Sequence, residues 1–206
     1  MMLRLWISSF LILVCTLSIS AQQGDNKKFH AGVKLGANTS QMTGDGFAGF
    51  YKFSVVGGVF ANTAFNEKMK MQYEIIYQGK GSHKPAKPDE GIYDSYKIRL
   101  NYIEVPVLFQ YKIEKFELEI GPGFGFLLGS KEWDQNGLRT GSSNDWRVFE
   151  LDAMFGVNYF FTDHFFVNAR THHSVTSVVT TTAVTPYGVY GGAWNIVLAL
   201  TLNYQF

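Results

Sequence analysis

The sequence contains one cysteine, five prolines and almost no net charge, and these shortages exclude several classes of protein. Cys15 lies in an apolar stretch near the start, so the rest of the chain can form neither a disulfide nor a cysteine metal site. The 18 basic and 17 acidic residues give a formal net charge of +1, which argues against nucleic acid as a partner. Beyond residue 17, no apolar run has the length of a membrane-spanning helix.

The first 21 residues have the composition of a secretory signal peptide. Arg4 supplies a positive charge, residues 5–17 form an apolar run, and residues 18–21 include small side chains suited to cleavage. We therefore predict that residues 1–21 are removed and that residues 22–206 form a single domain. A retained membrane helix is the alternative, and the shortness of the apolar run argues against it.

Apolar and polar residues alternate along eight segments, a period of two that a β-strand converts into two different faces. The clearest segment is the last, where large apolar side chains occupy every second position: Trp194, Ile196, Leu198, Leu200, Leu202, Tyr204 and Phe206. The predicted strands are approximately residues 29–38, 51–62, 69–80, 98–113, 116–129, 149–159, 165–177 and 194–206. The chain is therefore predicted to be all-β.

The connections between these strands alternate between short and long. Turns around residue 66, residues 114–115 and residues 162–164 alternate with four longer loops, at residues 39–50, 82–97, 130–146 and 178–192. This pattern predicts an eight-stranded antiparallel up-and-down transmembrane β-barrel that contacts the lipid of the outer membrane of a Gram-negative bacterium. A soluble lipocalin-like ligand-binding barrel is the alternative. An eight-stranded interior is just filled by side chains, and the bulky apolar set exceeds that volume, which favours the membrane barrel.

Several short motifs resemble those of a known family. The segments Leu-Asn-Tyr-Ile-Glu-Val-Pro-Val-Leu at 100–108 and Glu-Ile-Gly-Pro-Gly-Phe-Gly at 119–125 are similar to patterns of PorT-like outer-membrane barrels. Residues 32–38 and 73–81 resemble the first and third strands of that family. The resemblance covers essentially the whole mature chain. It implies an outer-membrane barrel and, as in the founding member, an accessory part in protein secretion. Together with the luminal charges and the long loops described below, it predicts a small non-porin barrel with a structural or binding role.

Charged and polar side chains on the opposite faces of the strands are predicted to form a structural network inside the barrel. A two-residue turn at residues 114–115 would place Lys112 opposite Glu117 and Gln110 opposite Glu119. The predicted members are Lys34, Lys70, Glu74, Glu104, Lys112, Glu117, Glu119, Glu150, Asp152, Arg170 and His172. A narrow lumen that holds both signs of charge is expected to be a salt-bridged plug that does not conduct.

Two prolines lie inside predicted spanning strands. Pro106 and Pro122 each remove a donor from the hydrogen-bond ladder, and a closed barrel has no edge strand on which to place them. The turn at residues 114–115 would bring both to one level of the barrel. We expect a β-bulge there, because bulges commonly bend barrel strands.

One motif is a candidate for catalysis. His172 and Ser174 have a His-x-Ser spacing similar to that of lipid A deacylase barrels, in which a membrane-facing histidine activates a serine with an acidic partner. No acidic residue follows Asp163, and alternation turns both side chains inward. We therefore predict no enzyme, no catalytic residue, no cofactor and no metal site, with an outer-membrane lipid hydrolase as the alternative.

The long loops and the last strand are where partners are expected. Loops on a rigid scaffold commonly carry binding residues, so Tyr93, Trp133 and Trp146 are candidate contacts for a protein partner outside the cell. The last strand, which ends on Phe206, is expected to engage the barrel-assembly machinery.

Overall fold

The computed structural model describes residues 29–46, 48–139, 145–180 and 191–206, so the predicted signal peptide at 1–21 lies outside the described residues. The strands are β1 Phe29–Thr43, β2 Lys52–Ala64, β3 Met69–Lys84, β4 Tyr96–Ile113, β5 Phe116–Asp134, β6 Gly137–Leu138, β7 Phe149–Phe160, β8 Phe165–Ser174 and β9 Trp194–Gln205. A short 3-10 turn, Pro88–Glu90, lies between β3 and β4. No helix among the described residues is long and apolar enough to cross a membrane.

Eight of these strands form a closed antiparallel barrel. Their order is β4, β3, β2, β1, β9, β8, β7 and β5, and the pairing of β4 with β5 closes the ring. The two-residue strand β6 folds back on the end of β5 as a small hairpin. The predicted all-β, eight-stranded up-and-down barrel is therefore confirmed.

Several strands are longer than predicted at the end of the barrel that carries the long loops. β1 continues to Thr43, β3 to Lys84 and β5 to Asp134, so the first residues of the predicted loop 130–146 are strand. The seventh predicted strand is too long, because β8 ends at Ser174. Beyond the apolar band the side-chain alternation weakens while backbone pairing continues, so the pattern alone gave poor boundaries there.

The outer wall of the barrel is a continuous apolar surface. Leu35 is 70% exposed and Leu200 is 59% exposed, although both lie in the middle of paired strands. The same face carries further exposed side chains, among them Val33, Val55, Val59, Ile75, Leu118, Ile120, Phe155, Leu198 and Leu202. An apolar band of this extent is suited to lipid and not to water, which excludes the soluble lipocalin-like alternative.

The β4–β5 hairpin turns through two residues, as predicted. Ile113 pairs with Phe116, and Glu114 has a left-handed φ of 56°, the conformation that tight hairpin turns of this kind require. The expected register follows from this turn: Lys112 lies opposite Glu117, and Gln110 lies opposite Glu119.

The bulge expected at the two prolines is absent. Pro106 pairs with Gly123 and Phe109 with Ile120, so the register is the same on both sides of the proline level. The register shift instead lies between Asn101 and Tyr102, nearer the loop end of the barrel. A proline removes one ladder hydrogen bond but requires no extra residue in its strand, so the ladder is interrupted without being shifted.

Candidate functional site

The interior of the barrel near its short turns holds a balanced set of charges, which we call the turn-end network: Lys34, Glu74, Glu119 and Arg170. Arg170 donates from Nη1 and Nη2 to the two oxygens of Glu74, both at 2.8 Å, and from Nε to Oε1 of Glu119 at 2.6 Å. Lys34 Nζ donates to the same Glu74 oxygens at 3.0 and 3.1 Å. Two cations therefore face two carboxylates, and all four side chains are buried.

Amide side chains complete the turn-end network. Asn168 Nδ2 donates to Glu119 Oε1 at 2.7 Å, and Gln110 Nε2 donates to Glu119 Oε2 at 3.0 Å. Gln72 Nε2 donates to Glu74 Oε1 at 2.6 Å. Each carboxylate oxygen in this network therefore accepts hydrogen bonds, the condition under which a buried ion pair is tolerated. Because Lys34, Glu74, Glu119 and Arg170 come from β1, β3, β5 and β8, the network ties the barrel together across its lumen.

Two predicted members lie at the edge of the turn-end network, and a third lies outside it. Lys70 Nζ lies 2.9 Å from Glu117 Oε2, and its side chain is 17% exposed. Lys112 is exposed at the mouth of the barrel, so its prediction as a luminal residue is wrong. It faces Glu117 in the register, but it is the last inward position before the turn, where water competes for the side chain.

A second cluster, the loop-end network, comprises Lys80, Glu104, Glu150, Asp152 and His172. Lys80 Nζ lies 2.6 Å from Glu104 Oε1, 3.1 Å from Glu150 Oε2 and 2.5 Å from Asp152 Oδ2. His172 Nδ1 lies 3.4 Å from Glu104 Oε2. All five residues are buried. One ammonium group thus faces three carboxylates and one imidazole.

The carboxylates of the loop-end network are less completely hydrogen-bonded than those of the turn-end network, in which the unpartnered buried atoms are the amide oxygens of Gln72 and Gln110. Glu150 Oε1 accepts hydrogen bonds from Ser174 Oγ and from Asn195 Nδ2, the latter at 2.9 Å. By contrast, Asp152 Oδ1 and the Tyr102 hydroxyl, both buried, have no hydrogen-bond partner among the described residues. Buried polar atoms normally find a partner, so these atoms mark the part of the loop-end network whose hydrogen bonding is incomplete.

Apolar layers separate and cover the two networks. Val56, Ile76 and Ala199 pack together, with Ile76 between Glu74 and Lys80 on the inward face of β3. Toward the loops lies a larger cluster of buried apolar side chains, which we call the apolar plug: Met42, Tyr96, Ile98, Leu100, Tyr102, Val178, Val179 and Ala193. Sequence reasoning missed this plug, although Ile98 and Leu100 alternate in phase with the inward residue Tyr102.

The three candidate loop aromatics occupy different environments. Tyr93 is 73% exposed on the connection between β3 and β4. Trp133 belongs to β5, and the Lys97 ammonium group lies 5.8 Å from the centre of its ring. Trp146 packs against the apolar plug, and its Nε1 donates to Glu132 Oε1 at 3.2 Å. The structure therefore presents Tyr93 to solvent and holds Trp146 at the mouth of the barrel.

The His172 and Ser174 side chains both belong to the lumen. His172 is buried beside Glu104, and Ser174 Oγ donates to Glu150. The sequence pattern showed no acidic partner for this pair, whereas the fold supplies Glu104 and Glu150 from other strands. Neither side chain faces the lipid, so the arrangement differs from that of a membrane-facing hydrolase.

Comparisons with known proteins agree with the architecture. The model of the family described as outer membrane protein beta-barrel domain matches residues 20–179. Among solved structures, the attachment invasion locus protein Ail of Yersinia pestis has a TM-score of 0.51 at 12% identity, over 87% of this chain and 99% of that chain. The structure of Ail in complex with the heparin analogue sucrose octasulfate has a TM-score of 0.50 at 15% identity, with the same coverage of both chains.

Neisserial surface protein A has a TM-score of 0.48 at 10% identity, over 87% of this chain and 98% of that chain. No curated protein sequence matches the chain. At these identities the structural likenesses concern the fold alone.

Proposed function

Because the chain belongs to the outer membrane protein beta-barrel domain family, and is thus a small barrel of the Gram-negative outer membrane, we propose that it is a closed, non-porin barrel with a structural and binding role. One observation carries this proposal: beyond an open cavity of about 420 Å³ at the turn-end mouth, successive layers of buried side chains fill the lumen. The turn-end network, the apolar layer around Ile76, the loop-end network and the apolar plug follow one another along the barrel axis. Such an interior leaves no continuous path for hydrated ions.

The proposal is tested by conductance. We expect purified, refolded protein to show no stable porin-sized current steps in a planar bilayer, whereas a known porin inserted under the same conditions provides the positive control. Insertion is checked separately by reconstituting the same protein into lipid vesicles and showing by electrophoresis without heating that it runs as the folded form. Reproducible large single-channel steps from the folded protein would show that the lumen is open and would overturn the proposal.

The loop end is the part of the molecule best placed to bind a partner. Tyr93 is largely exposed there, and Trp133 lies beside the basic side chains of Lys97 and Arg99, whose charged groups each lie 5.8 Å from its ring. Tyrosine, tryptophan and arginine are over-represented among the residues that anchor protein interfaces. We therefore assign Tyr93 and Trp133, and not the inward Trp146, to the surface that contacts a protein partner outside the cell.

The ordered motifs shared with PorT-like barrels support an accessory part in protein secretion. Deletion of the gene is expected to lower the amount of protein released into the medium, and the wild-type gene is expected to restore it. The Tyr93→Ala variant is expected to insert normally without restoring secretion. If deletion leaves the released proteins unchanged, the secretion role is wrong, while the closed-barrel proposal still stands on the conductance test.

Two further parts of the proposal concern the last strand and the His172–Ser174 pair. At the turn end, Tyr204 packs against Phe165 and Phe206, with ring centroids 4.7 and 5.6 Å away, and we assign this outward aromatic face of β9 to recognition by the barrel-assembly machinery. We assign no catalytic role to His172 and Ser174, because a nucleophile that acts on membrane lipid must reach it and these side chains face the lumen.

A further inference from the structure

The loop-end network contains more negative charge than its own cation neutralises. Lys80 supplies one positive charge, whereas Glu104, Glu150 and Asp152 supply three negative ones. With the imidazole of His172 neutral, the cluster carries two uncompensated negative charges in a fully buried position. Buried charges that lack a counter-charge are strongly destabilising, so a further positive charge would stabilise the cluster.

The contacts of Lys80 leave a specific set of atoms available for that cation. Lys80 uses Glu104 Oε1, Asp152 Oδ2 and Glu150 Oε2. Glu104 Oε2, Asp152 Oδ1 and His172 Nδ1 make no hydrogen bond to any described residue, and Glu104 Oε2 and His172 Nδ1 lie 3.4 Å apart. Glu104, Asp152 and His172 each offer a ligand atom, and these atoms lie within 4.8 Å of one another.

We propose that Glu104, Asp152 and His172 bind one divalent transition-metal ion, with Lys80 remaining in place beside it. Two carboxylate oxygens and one imidazole nitrogen form a donor set that suits Zn²⁺ and similar first-row ions. The two charges of the ion and the single charge of Lys80 together neutralise the three carboxylates. The site therefore accounts for the charge excess and for the unpartnered atoms of Glu104, Asp152 and His172.

The barrel wall holds the three ligands in fixed positions. Glu104, Asp152 and His172 come from β4, β7 and β8, and the neighbouring backbone positions are paired through the ladder, as in Met154 opposite His172. Ligands on paired strands are positioned more accurately than ligands on loops. An ion at this level would link β4 to β7 and β8 across the lumen, as Arg170 links strands in the turn-end network.

Apolar layers on both sides decide how the ion enters. The apolar plug covers the site toward the loops, and Ile76, Leu108 and Met154 lie below it as buried side chains. A site enclosed in this way is loaded during folding of the barrel and exchanges slowly afterwards. The experiment therefore supplies the metal during refolding instead of adding it to the folded protein.

His173 provides a matched control for His172. It is the next residue on β8, it is exposed, and by strand alternation it faces outward. His172→Gln and His173→Gln thus remove the same imidazole from opposite sides of one strand. Asp152→Asn provides a second test variant of nearly unchanged shape, in case His172→Gln folds poorly.

The test measures metal retained by the folded barrel. Full-length mature protein is refolded into detergent with an equimolar amount of ZnCl₂, desalted, checked for folding by heat-modifiable electrophoresis, and analysed by mass spectrometry for bound zinc. We expect about one Zn²⁺ per folded chain for the wild type and for His173→Gln, and a loss of about tenfold or more for His172→Gln and Asp152→Asn. The wild type refolded with chelator is expected to unfold at a lower temperature.

Two results would overturn the proposal. The folded wild type could retain only trace zinc and show the same unfolding temperature with metal and with chelator, which would mean that protons neutralise the excess charge. Alternatively, the His172 and Asp152 variants could retain as much zinc as His173→Gln, which would place the zinc elsewhere on the molecule.

Discussion

The turn-end and loop-end networks use similar residue types in the same lumen, yet they differ in charge balance. In the first, Lys34 and Arg170 face Glu74 and Glu119, and each carboxylate oxygen accepts a hydrogen bond. In the second, Lys80 alone faces three carboxylates, and oxygens of Glu104 and Asp152 accept no hydrogen bond from any described residue. The turn-end network is therefore neutralised by its own side chains, whereas the loop-end network needs another cation for neutrality.

The chemistry of the two central cations accounts for part of this difference. The planar guanidinium of Arg170 presents a fixed fork of donors and binds Glu74 with two parallel hydrogen bonds while its Nε binds Glu119. The ammonium group of Lys80 is a point charge with three donors, and it is shared among three carboxylates. The guanidinium of Arg170 therefore uses the acceptor atoms of its two carboxylates, whereas the ammonium group of Lys80 leaves acceptor atoms that a second cation can bind.

The largest expected effect comes from removing each central cation. In the presence of chelator, we expect Lys80→Met to lower the free energy of unfolding by about 5 kcal/mol and Arg170→Met by about 4 kcal/mol, the upper part of the range for breaking buried ion pairs. Lys80→Met lowers the free energy of unfolding more because three carboxylates lose their shared cation. After Arg170→Met, by contrast, Lys34 still forms an ion pair with Glu74. Urea titration of folding into lipid vesicles measures both.

Lys112→Met controls for the loss of a lysine as such, and we expect it to change the free energy of unfolding by less than about 0.5 kcal/mol because Lys112 is exposed. A smaller loss for Lys80→Met than for Arg170→Met would contradict the difference in charge balance.

A smaller effect is expected when a cation is placed on the outer wall. Leu200 faces lipid between Ala37 and Ala169 of the neighbouring strands, so an arginine there finds no carboxylate. We expect Leu200→Arg to cost about 3 kcal/mol, and Leu200→Met, which preserves an apolar side chain, to cost nearly nothing. The same urea titration checks both variants. Equal stability of the two would place Leu200 away from the lipid.

Much of the barrel could be predicted from the sequence because a strand in a membrane wall must alternate. The pattern of the last strand, for example, separates the exposed Leu200 from the buried Thr201 as the structure does. The alternation fails near the ends of strands, where water reaches both faces. For that reason Lys112, which the alternation predicts to be luminal, is exposed. For the same reason β5 continues five residues beyond its predicted end, to Asp134.

The interior could be predicted only as a list of inward side chains, without their partners. The pairing of Lys80 with Glu104, Glu150 and Asp152 depends on which strands lie across the lumen, and no local spacing encodes it. For the same reason the grouping of Glu104, Asp152 and His172 was not apparent, since the three residues lie on three strands. The apolar plug was also missed, because volume arguments assigned large apolar side chains to the outside.

Replacing one glutamate by glutamine in each network tests the difference in charge balance most directly, because the two replacements are expected to have opposite effects on stability. Glu104→Gln removes one excess charge and preserves the contacts, since the amide oxygen can accept from Lys80 and the amide nitrogen can donate to His172 Nδ1. Glu119→Gln removes a needed charge and sets an amide group against donors from Arg170, Asn168 and Gln110.

The decisive measurement is the free energy of unfolding of these two variants, compared with the wild type in the presence of chelator. We predict a loss of about 2 kcal/mol for Glu119→Gln and no loss, or a gain of up to about 1 kcal/mol, for Glu104→Gln. A similar loss in both variants would show that the two networks are equally balanced and would contradict the account.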